Sequence, residues 1–187
     1  MDYKKLYQRI ILILTKPSEA WPIIKSEDKQ KMMTSFVYPL LALASLSTFL
    51  GHLFGSDQSV SASIISALTQ TCITLVSLFG GIYLSCFIAE KLFLKAMNYV
   101  IDRNTSMKLV GYGFLLTFLH ETINPILPEF GFVTFILQLY SVYILWEGVP
   151  VFLNIKEEDR LKATLFIFFN IFCTPILIGV IFSKLLF

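Results

Sequence analysis

Residues 63–88 read SIISALTQTCITLVSLFGGIYLSCFI, a run of 26 residues without a single Asp, Glu, Lys, Arg or His. An α-helix needs about 20 predominantly apolar residues to cross the hydrocarbon layer of a bilayer, which is ~30 Å thick. The run therefore predicts a transmembrane helix. Its length and its lack of charged residues are the features by which further spans can be found in the chain.

The composition of the whole chain agrees with a membrane protein. Of 187 residues, 56% are hydrophobic and 15% are charged, whereas a typical soluble domain carries about 25% charged residues. Apolar groups of sufficient length predict five spans, at about 34–54, 63–88, 107–124, 132–153 and 163–186. The sequence thus predicts an all-α membrane protein. Residues 34–187 form one bundle of five transmembrane helices, and residues 1–33 form a cytoplasmic segment that is too short for a second globular domain.

The basic residues predict how this bundle is oriented. Fourteen of the fifteen Lys and Arg residues lie in the N-terminal segment, around the loop after the second span, or in the loop after the fourth. The connections at 55–62 and 121–131 contain none. By the positive-inside rule, the N-terminus is cytoplasmic and, with an odd number of spans, the C-terminus is outside. We therefore expect a multi-pass protein of the cytoplasmic (inner) membrane.

The N-terminal segment begins with an amphipathic pattern. Apolar residues at helical spacing within residues 3–14 lie opposite a polar face that carries Lys4, Lys5 and Arg9. Such a helix can lie in the headgroup layer close to anionic lipid, or it can pack on the cytoplasmic ends of the spans. The sequence leaves both interpretations open. Trp21 is of the type that anchors a segment at the membrane interface.

Small residues recur every four positions on the first two spans, and such stripes let helices approach closely in lipid. The first stripe consists of Ser47, Gly51 and Gly55, and the second of Ser77, Gly81, Ser85 and Ala89. We predict that the two stripes pair with each other within one protomer. A seam between two copies of the chain is the alternative.

Ionisable residues at membrane depth need an explanation, because each costs roughly 2.5 to 3.5 kcal/mol at the bilayer centre. His120, Glu121 and Asn124 lie at the outer end of the third predicted span, and Glu147 lies in the cytoplasmic half of the fourth. Either site could belong to a proton or cation pathway. The structural alternatives are a solvated helix end for the first site and an ion pair or hydrogen bond, for example with Lys108, for Glu147.

Residues 120–124 read HETIN, one histidine short of the HExxH zinc motif. His52 is the only other histidine, and it is predicted to lie near the same outer face. The chain contains no nucleophile elbow, phosphate-binding glycine loop or dinucleotide fingerprint. We predict no catalytic residue, cofactor or metal site. We also expect no nucleic-acid partner, because the N-terminal charge run lacks interleaved aromatic residues.

Two stretches carry a resemblance to a known family. They are residues 15–21, TKPSEAW, after the amphipathic start, and the run from Tyr140 to Pro150 that precedes the basic loop at 156–162. Together with the five spans, they resemble the YIP family, the Ypt/Rab-interacting-protein domain, in its prokaryotic form. The resemblance implies a five-span bundle with a cytoplasmic N-terminus. Eukaryotic relatives act in vesicle trafficking through Rab-type GTPases and other family members, but the short N-terminal segment here does not predict that role.

Two functions follow as predictions. The first is a non-enzymatic scaffold, assembly factor or organiser of lipid, which acts through helix contacts with the bilayer, with further copies of itself or with other membrane proteins. The second is a small transporter or channel that uses Glu147 and the cluster of His120, Glu121 and Asn124. A zinc-dependent intramembrane hydrolase is a third hypothesis, which lacks its second histidine.

Overall fold

The computed structural model describes residues 3–55, 59–93, 98–99 and 101–186, except for the side chains of Leu92 and Phe93. Helices make up most of this part of the chain, and it contains no strand. The helices are α1 (Tyr3–Thr15), α2 (Pro17–Ser26), α3 (Lys29–Met32), α4 (Tyr38–Phe54), α5 (Val60–Ile88), α6 (Arg103–Gly113), α7 (Leu115–Ile123), α8 (Gly131–Gln138), α9 (Ser141–Phe152) and α10 (Glu157–Leu186).

Short turns of other helical types connect several of these elements. A π-helical turn at Met33–Val37 joins α3 to α4, a second one at Ala89–Phe93 extends α5, and a 3₁₀ turn at Pro128–Phe130 leads into α8. Asp28 and Asp102 begin α3 and α6, because each carboxylate accepts hydrogen bonds from two main-chain N–H groups of the first helical turn. The side-chain hydroxyl of Thr105 also donates to Asp102, and mainly for that reason the pKa of this carboxyl lies below its usual value.

Four helical segments are long and apolar enough to cross a membrane: Lys29–Phe54, Val60–Lys91, Pro128–Phe152 and Glu157–Leu186. They coincide with four of the five predicted spans, and each begins a few residues earlier than its apolar run. Capping and acidic residues account for two of the early starts, since Asp28 and three acidic residues of α10 favour helix N-termini while remaining outside hydrocarbon. The chain is therefore an all-helical membrane protein.

The predicted third span, 107–124, has a different construction. It consists of α6 and α7, which meet at Phe114. This pair is not among the four helical segments that are long and apolar enough to cross a membrane. Nearly every side chain from Ser106 to Phe118 is buried, with Lys108 as the exception. A helix pair whose side chains are buried on all sides lies within the protein and not at its lipid-facing surface. The α6–α7 pair thus forms the central axis of the bundle.

Glycines make room for this axis. A Cβ atom at Gly113 would lie 2.7 Å from Cδ1 of Ile171 and 3.1 Å from Cδ2 of Leu145, and one at Gly111 would lie 3.1 Å from the sulfur of Met32. The absence of side chains at Gly111 and Gly113 therefore lets the axis pack closely against α3, α9 and α10.

Trp21 does not anchor the chain at the membrane interface, as the sequence suggested. Its side chain is completely buried, its indole Nε1 donates a 2.8 Å hydrogen bond to the carbonyl of Ile144, and its ring packs edge-on against Phe152 at 5.6 Å. Gly148 makes this position possible, because a Cβ atom there would overlap the indole ring. Trp21 instead fastens α2 to α9 inside the protein.

Side chains from other elements also satisfy the carbonyl groups that helices leave unpaired at their C-terminal ends. Tyr140 donates to the carbonyl of Leu14 at 2.9 Å. Lys108 donates to the carbonyl of Lys25 at 2.7 Å, and the ammonium group of Lys25 donates to the carbonyl of Val151 at 2.7 Å. These contacts hold the N-terminal helices against the bundle.

The small-residue stripes pack, but their predicted pairing is wrong. Gly51 of the first stripe faces the backbone of Pro125, at the end of α7. Gly81 of the second faces Pro175 of α10, where a Cβ atom would lie 3.0 Å from Cγ, and Ser77 contacts Gly179. Each stripe thus lies against a different neighbour. Small residues allow close approach to any suitable partner, and their spacing does not specify which one.

Helices α4 and α5 are nevertheless neighbours, and they pack on each other along other faces. The hydroxyl of Thr48 on α4 donates to the hydroxyl of Thr74 on α5 at 3.4 Å. The two spans are therefore adjacent, as their short connection suggests, while their glycines face other helices.

Hydrogen bonds hold the second stripe to α10. The hydroxyl groups of Ser85 and Thr174 are 2.6 Å apart, Asn170 donates from Nδ2 to the carbonyl of Ser85 at 2.8 Å, and Thr174 donates to the carbonyl of Gly81 at 3.2 Å. Such bonds add to close packing where hydrophobic burial contributes little.

Pro150 lies inside α9 and has no N–H with which to bond the carbonyl of Trp146, four residues earlier. Arg160 of α10 supplies the missing donors, since Nη2 lies 2.9 Å and Nε 3.3 Å from that oxygen. Its guanidinium carbon also lies 4.2 Å from the centre of the Trp146 ring. The side chain of Arg160 therefore replaces the main-chain donor that Pro150 lacks.

We expect Gly51→Ala to destabilise the protein by about 1 to 3 kcal/mol, because the new methyl group would meet main-chain atoms that cannot move aside. Gly80→Ala is the matched control, since its methyl group would meet only the flexible end of Ile178, at 3.1 Å. SDS-induced unfolding of the purified protein in mixed micelles measures both. Equal stability of the two variants would contradict the close contact at Pro125.

We expect Arg160→Met to cost about 2 kcal/mol in the native background and less when Pro150→Ala is also present. An alanine at position 150 has an N–H that bonds the carbonyl of Trp146, so this oxygen no longer depends on Arg160. A double-mutant cycle should give a coupling energy of about 1 kcal/mol. Lys162→Met, at an exposed position of α10, is the control and should show no coupling with Pro150→Ala. Strictly additive effects of the substitutions at 150 and 160 would contradict the role of Arg160 as the donor that replaces the missing N–H of Pro150.

Candidate functional site

A cavity of about 390 Å³ lies among α5, α7, α8 and α10, and its lining is mainly apolar with several polar groups. Its polar lining consists of Thr74, Ser77, Thr117, His120, Glu121 and Gln138. His120 and Glu121 were predicted from the sequence. The other four were not, because hydroxyl and amide side chains are common within membrane helices and most of them bond to nearby groups of the protein.

Thr134 orients His120. The imidazole Nδ1 lies 2.9 Å from the hydroxyl oxygen of Thr134, and that hydroxyl donates to the carbonyls of Gly131 and Phe130, at 3.1 and 3.2 Å. A hydrogen on Nδ1 fits these contacts, since the threonine hydroxyl already points to two carbonyls. In that tautomer the other ring nitrogen, Nε2, is an acceptor.

Three side chains around this cavity lack partners among the residues that the structure describes. The carboxylate of Glu121 forms no ion pair or hydrogen bond there, and neither does the amide of Gln138, although this residue is only 6% exposed. The hydroxyl oxygen of Ser77 is also buried without a partner. Of these groups only the Ser77 hydroxyl is fully buried, and the Glu121 carboxylate and the Gln138 amide are free to bond within the cavity.

The cavity reaches the outer surface of the bundle. Phe135 of α8 and Ile176 and Val180 of α10 line it, and they are 47%, 55% and 51% exposed. Large exposed apolar side chains on membrane helices face lipid. The mouth of the cavity therefore lies between α8 and α10, within the apolar surface, and its polar groups lie further in.

Only two of the four polar residues that the sequence singled out, His120 and Glu121, line the cavity. Asn124 does not line the cavity, and its side-chain oxygen instead packs against Gly131. Glu147 lies half-buried on α9 and does not line the cavity either. The proposed ion pair between Glu147 and Lys108 is wrong, because Lys108 bonds to main-chain carbonyls at the end of α2. His120 and Glu121 therefore form a site without the other two.

Among the residues with a described placement, no group of three or more His, Cys, Asp and Glu side chains is arranged to hold a metal ion. His52 lies exposed on α4, and His120 is bonded to Thr134. The cavity therefore offers hydrogen-bonding groups and one carboxylate to a guest molecule.

The architecture can be compared with known proteins at this point. A family model described as the Yip1 domain matches residues 11–181, which is most of the chain. The chain belongs to the Yip1 domain family. The resemblance seen in residues 15–21 and 140–150 is thus confirmed, and both stretches meet in the fold, where Trp21 packs on Gly148. No curated protein and no solved structure matches the chain significantly.

Proposed function

We propose that this Yip1 domain protein acts without catalysis as an organiser of membrane lipid, and that its intramembrane cavity holds part of an amphiphilic molecule. The unpaired carboxylate of Glu121, in a cavity whose mouth lies among lipid-facing side chains, supports this proposal best. A molecule that enters from the lipid can leave its apolar part in the bilayer. Its polar part reaches the lining.

The lining favours a particular polar group. Glu121 accepts hydrogen bonds when ionised, Nε2 of His120 also accepts, and the amide of Gln138 both donates and accepts. These groups complement an ammonium or hydroxyl group. A cavity of about 390 Å³ is at the small end of ligand sites. It suits a lipid headgroup with an amine rather than a whole phospholipid.

The proposal includes the topology. The four long helical segments together with the central α6–α7 pair give five crossings, because the 21 residues of 103–123 span about 30 Å as a helix. The basic residues near the ends of the spans favour a cytoplasmic N-terminus, a C-terminus outside and residence in the inner membrane of a prokaryotic cell. Further copies of the chain or other membrane proteins would cover part of the exposed apolar surface.

Photocrosslinking tests lipid occupancy. A phosphatidylethanolamine with a diazirine in its headgroup is incorporated into nanodiscs with the purified protein, and we expect labelling of residues that line the cavity. Val180→Trp should reduce labelling severalfold by blocking the mouth. Ile181→Trp, at an adjacent position that is 53% exposed and does not line the cavity, should leave it unchanged. Equal labelling of both variants would contradict the proposal.

Glu121→Gln separates a specific polar contact from simple filling of space. The amide has almost the same shape as the carboxylate but no charge, so we expect about tenfold weaker capture of the amine-bearing lipid. Capture of the same lipid with an N-acetylated headgroup, which has no ammonium charge, should change little. If Glu121→Gln binds both lipids as the native protein does, the carboxylate has no part in recognition.

Transport of a small ion or solute is the second candidate, and the same unpaired Glu121 favours it. Glu147 does not line the cavity, so the structure joins only one of the two predicted sites to this space. Flux into proteoliposomes that is lost in Glu121→Gln and retained in Glu147→Gln would favour transport through the cavity. Flux that neither substitution alters, across a panel of ions, would remove this candidate.

A further inference from the structure

Helices α7 and α8 form an antiparallel hairpin, and two contacts set its register. Asn124 packs against Gly131 where the chain reverses, and Nδ1 of His120 lies 2.9 Å from the hydroxyl oxygen of Thr134. A step of about one helical turn back along α7 therefore matches a step of about one turn forward along α8.

The next step in this register pairs Thr117 of α7 with Gln138 of α8, and both residues line the intramembrane cavity. The polar lining that the hairpin contributes therefore has two levels. The first level, nearer the turn, holds His120 and Glu121, and the second level, one helical turn further from it, holds Thr117 and Gln138. Four residues along α8 separate the two levels by ~6 Å.

The second level can donate hydrogen bonds. Gln138 is 6% exposed and Thr117 is 8% exposed. Neither side chain has a hydrogen-bond partner in the described ranges of the chain, and their polar atoms are not sealed off from the cavity. The amide nitrogen of Gln138 and the hydroxyl of Thr117 are thus available as donors to a guest. The first level offers the opposite group, since an ionised Glu121 only accepts.

The charges of the lining restrict the guest further. The described residues that line the cavity include no Lys or Arg. A guest with an anionic group must therefore bring its own cation, because an unpaired charge away from water is costly. A zwitterionic headgroup meets this condition.

Phosphoethanolamine has such a headgroup. Its ammonium group is suited to Glu121, and its phosphate oxygens are suited to the donors of Gln138 and Thr117, because amide and hydroxyl side chains commonly bind phosphate. Only two carbon atoms link its ammonium group to the phosphate ester, a length that agrees with two levels one helical turn apart.

We infer that Gln138, assisted by Thr117, makes the cavity specific for phosphoethanolamine headgroups by binding the phosphate while Glu121 binds the ammonium group. This inference rests on the proposed function and adds a second recognition contact to it. Soluble phosphoethanolamine has the same two groups. The mouth among lipid-facing side chains favours the phospholipid as their source.

Native mass spectrometry of the purified full-length protein in detergent micelles compares two lipids with the same chains. Dioleoylphosphatidylethanolamine has both groups, and dioleoylaminopropane has the ammonium group without the phosphate. We expect the native protein to bind the phospholipid about tenfold more tightly, through the added hydrogen bonds. Soluble phosphoethanolamine should bind more weakly than the phospholipid, because it has no chains to occupy the apolar mouth.

Gln138→Glu nearly keeps the shape of the side chain and replaces its donor with a carboxylate that repels phosphate. We expect about tenfold weaker binding of the phospholipid, with no loss for dioleoylaminopropane. Gln70→Glu is the matched control, because Gln70 lies on α5 and does not line the cavity, and it should change neither affinity. Gln138→Met and Thr117→Val remove donors without adding charge, and each should lower the preference for the phospholipid severalfold even if Gln138→Glu does not fold.

The outcomes separate this inference from the proposed function. Equal affinity of the native protein for the two lipids, or an equal effect of the substitutions at 138 on both, would overturn the inference and leave the amine contact of Glu121 in place. Absence of binding by either lipid would overturn the proposed function and this inference together. Equal affinity for soluble phosphoethanolamine and the phospholipid would support the two contacts and assign the cavity to the soluble compound.

Discussion

The contact between Trp21 and Gly148 determines how the N-terminal segment joins the bundle. In lipid, helices gain little from burying apolar side chains against each other, so close packing and hydrogen bonds decide which surfaces associate. The indole provides both, because it lies flat against a residue without a side chain and donates to the carbonyl of Ile144. Once α2 is fixed in this way, the chain that follows carries Glu27 to Arg9 and Tyr112. The bonds of Glu27 to Arg9 and Tyr112 therefore depend on a contact made by another part of the same segment.

Polar groups on neighbouring helices satisfy one another at several places where the helices pack. Arg160 compensates for Pro150, and Ser85, Asn170 and Thr174 bond across the seam between α5 and α10. Away from the cavity, the side-chain oxygens of Ser45, Thr164 and Asn170 are buried without a partner. Beside the cavity, Ser77, Glu121 and Gln138 lack partners within the described structure. Polar groups in hydrocarbon are costly, and the two of these that can bond within the cavity, Glu121 and Gln138, support the proposal that it binds a polar group.

The sequence predicted four long helices correctly, because the length of an apolar run and the thickness of a bilayer are directly related. It also predicted a span at 107–124, where the structure has two shorter helices buried in the bundle. Hydropathy does not distinguish contact with lipid from contact with protein. Trp21 was misread for a similar reason: an indole suits both an interface and an interior. For the site, charge identified His120 and Glu121. Ser77 and Gln138 could not be distinguished from the many other polar residues of the spans without knowing which helices adjoin them.

The central axis carries polar residues at two levels of the bundle. The hydroxyl of Tyr112 donates to Glu27, and Thr117, His120 and Glu121 line the intramembrane cavity, about 12 Å further along the same helix axis. Between Ser106 and Phe118 nearly every side chain is buried, and close packing there allows few alternative rotamers. The outer helices α8 and α10 have the opposite property, since large apolar side chains at the mouth of the cavity are exposed. The most polar of the five predicted spans thus lies deepest in the protein, because neighbouring helices offer polar side chains hydrogen-bonding groups that lipid lacks.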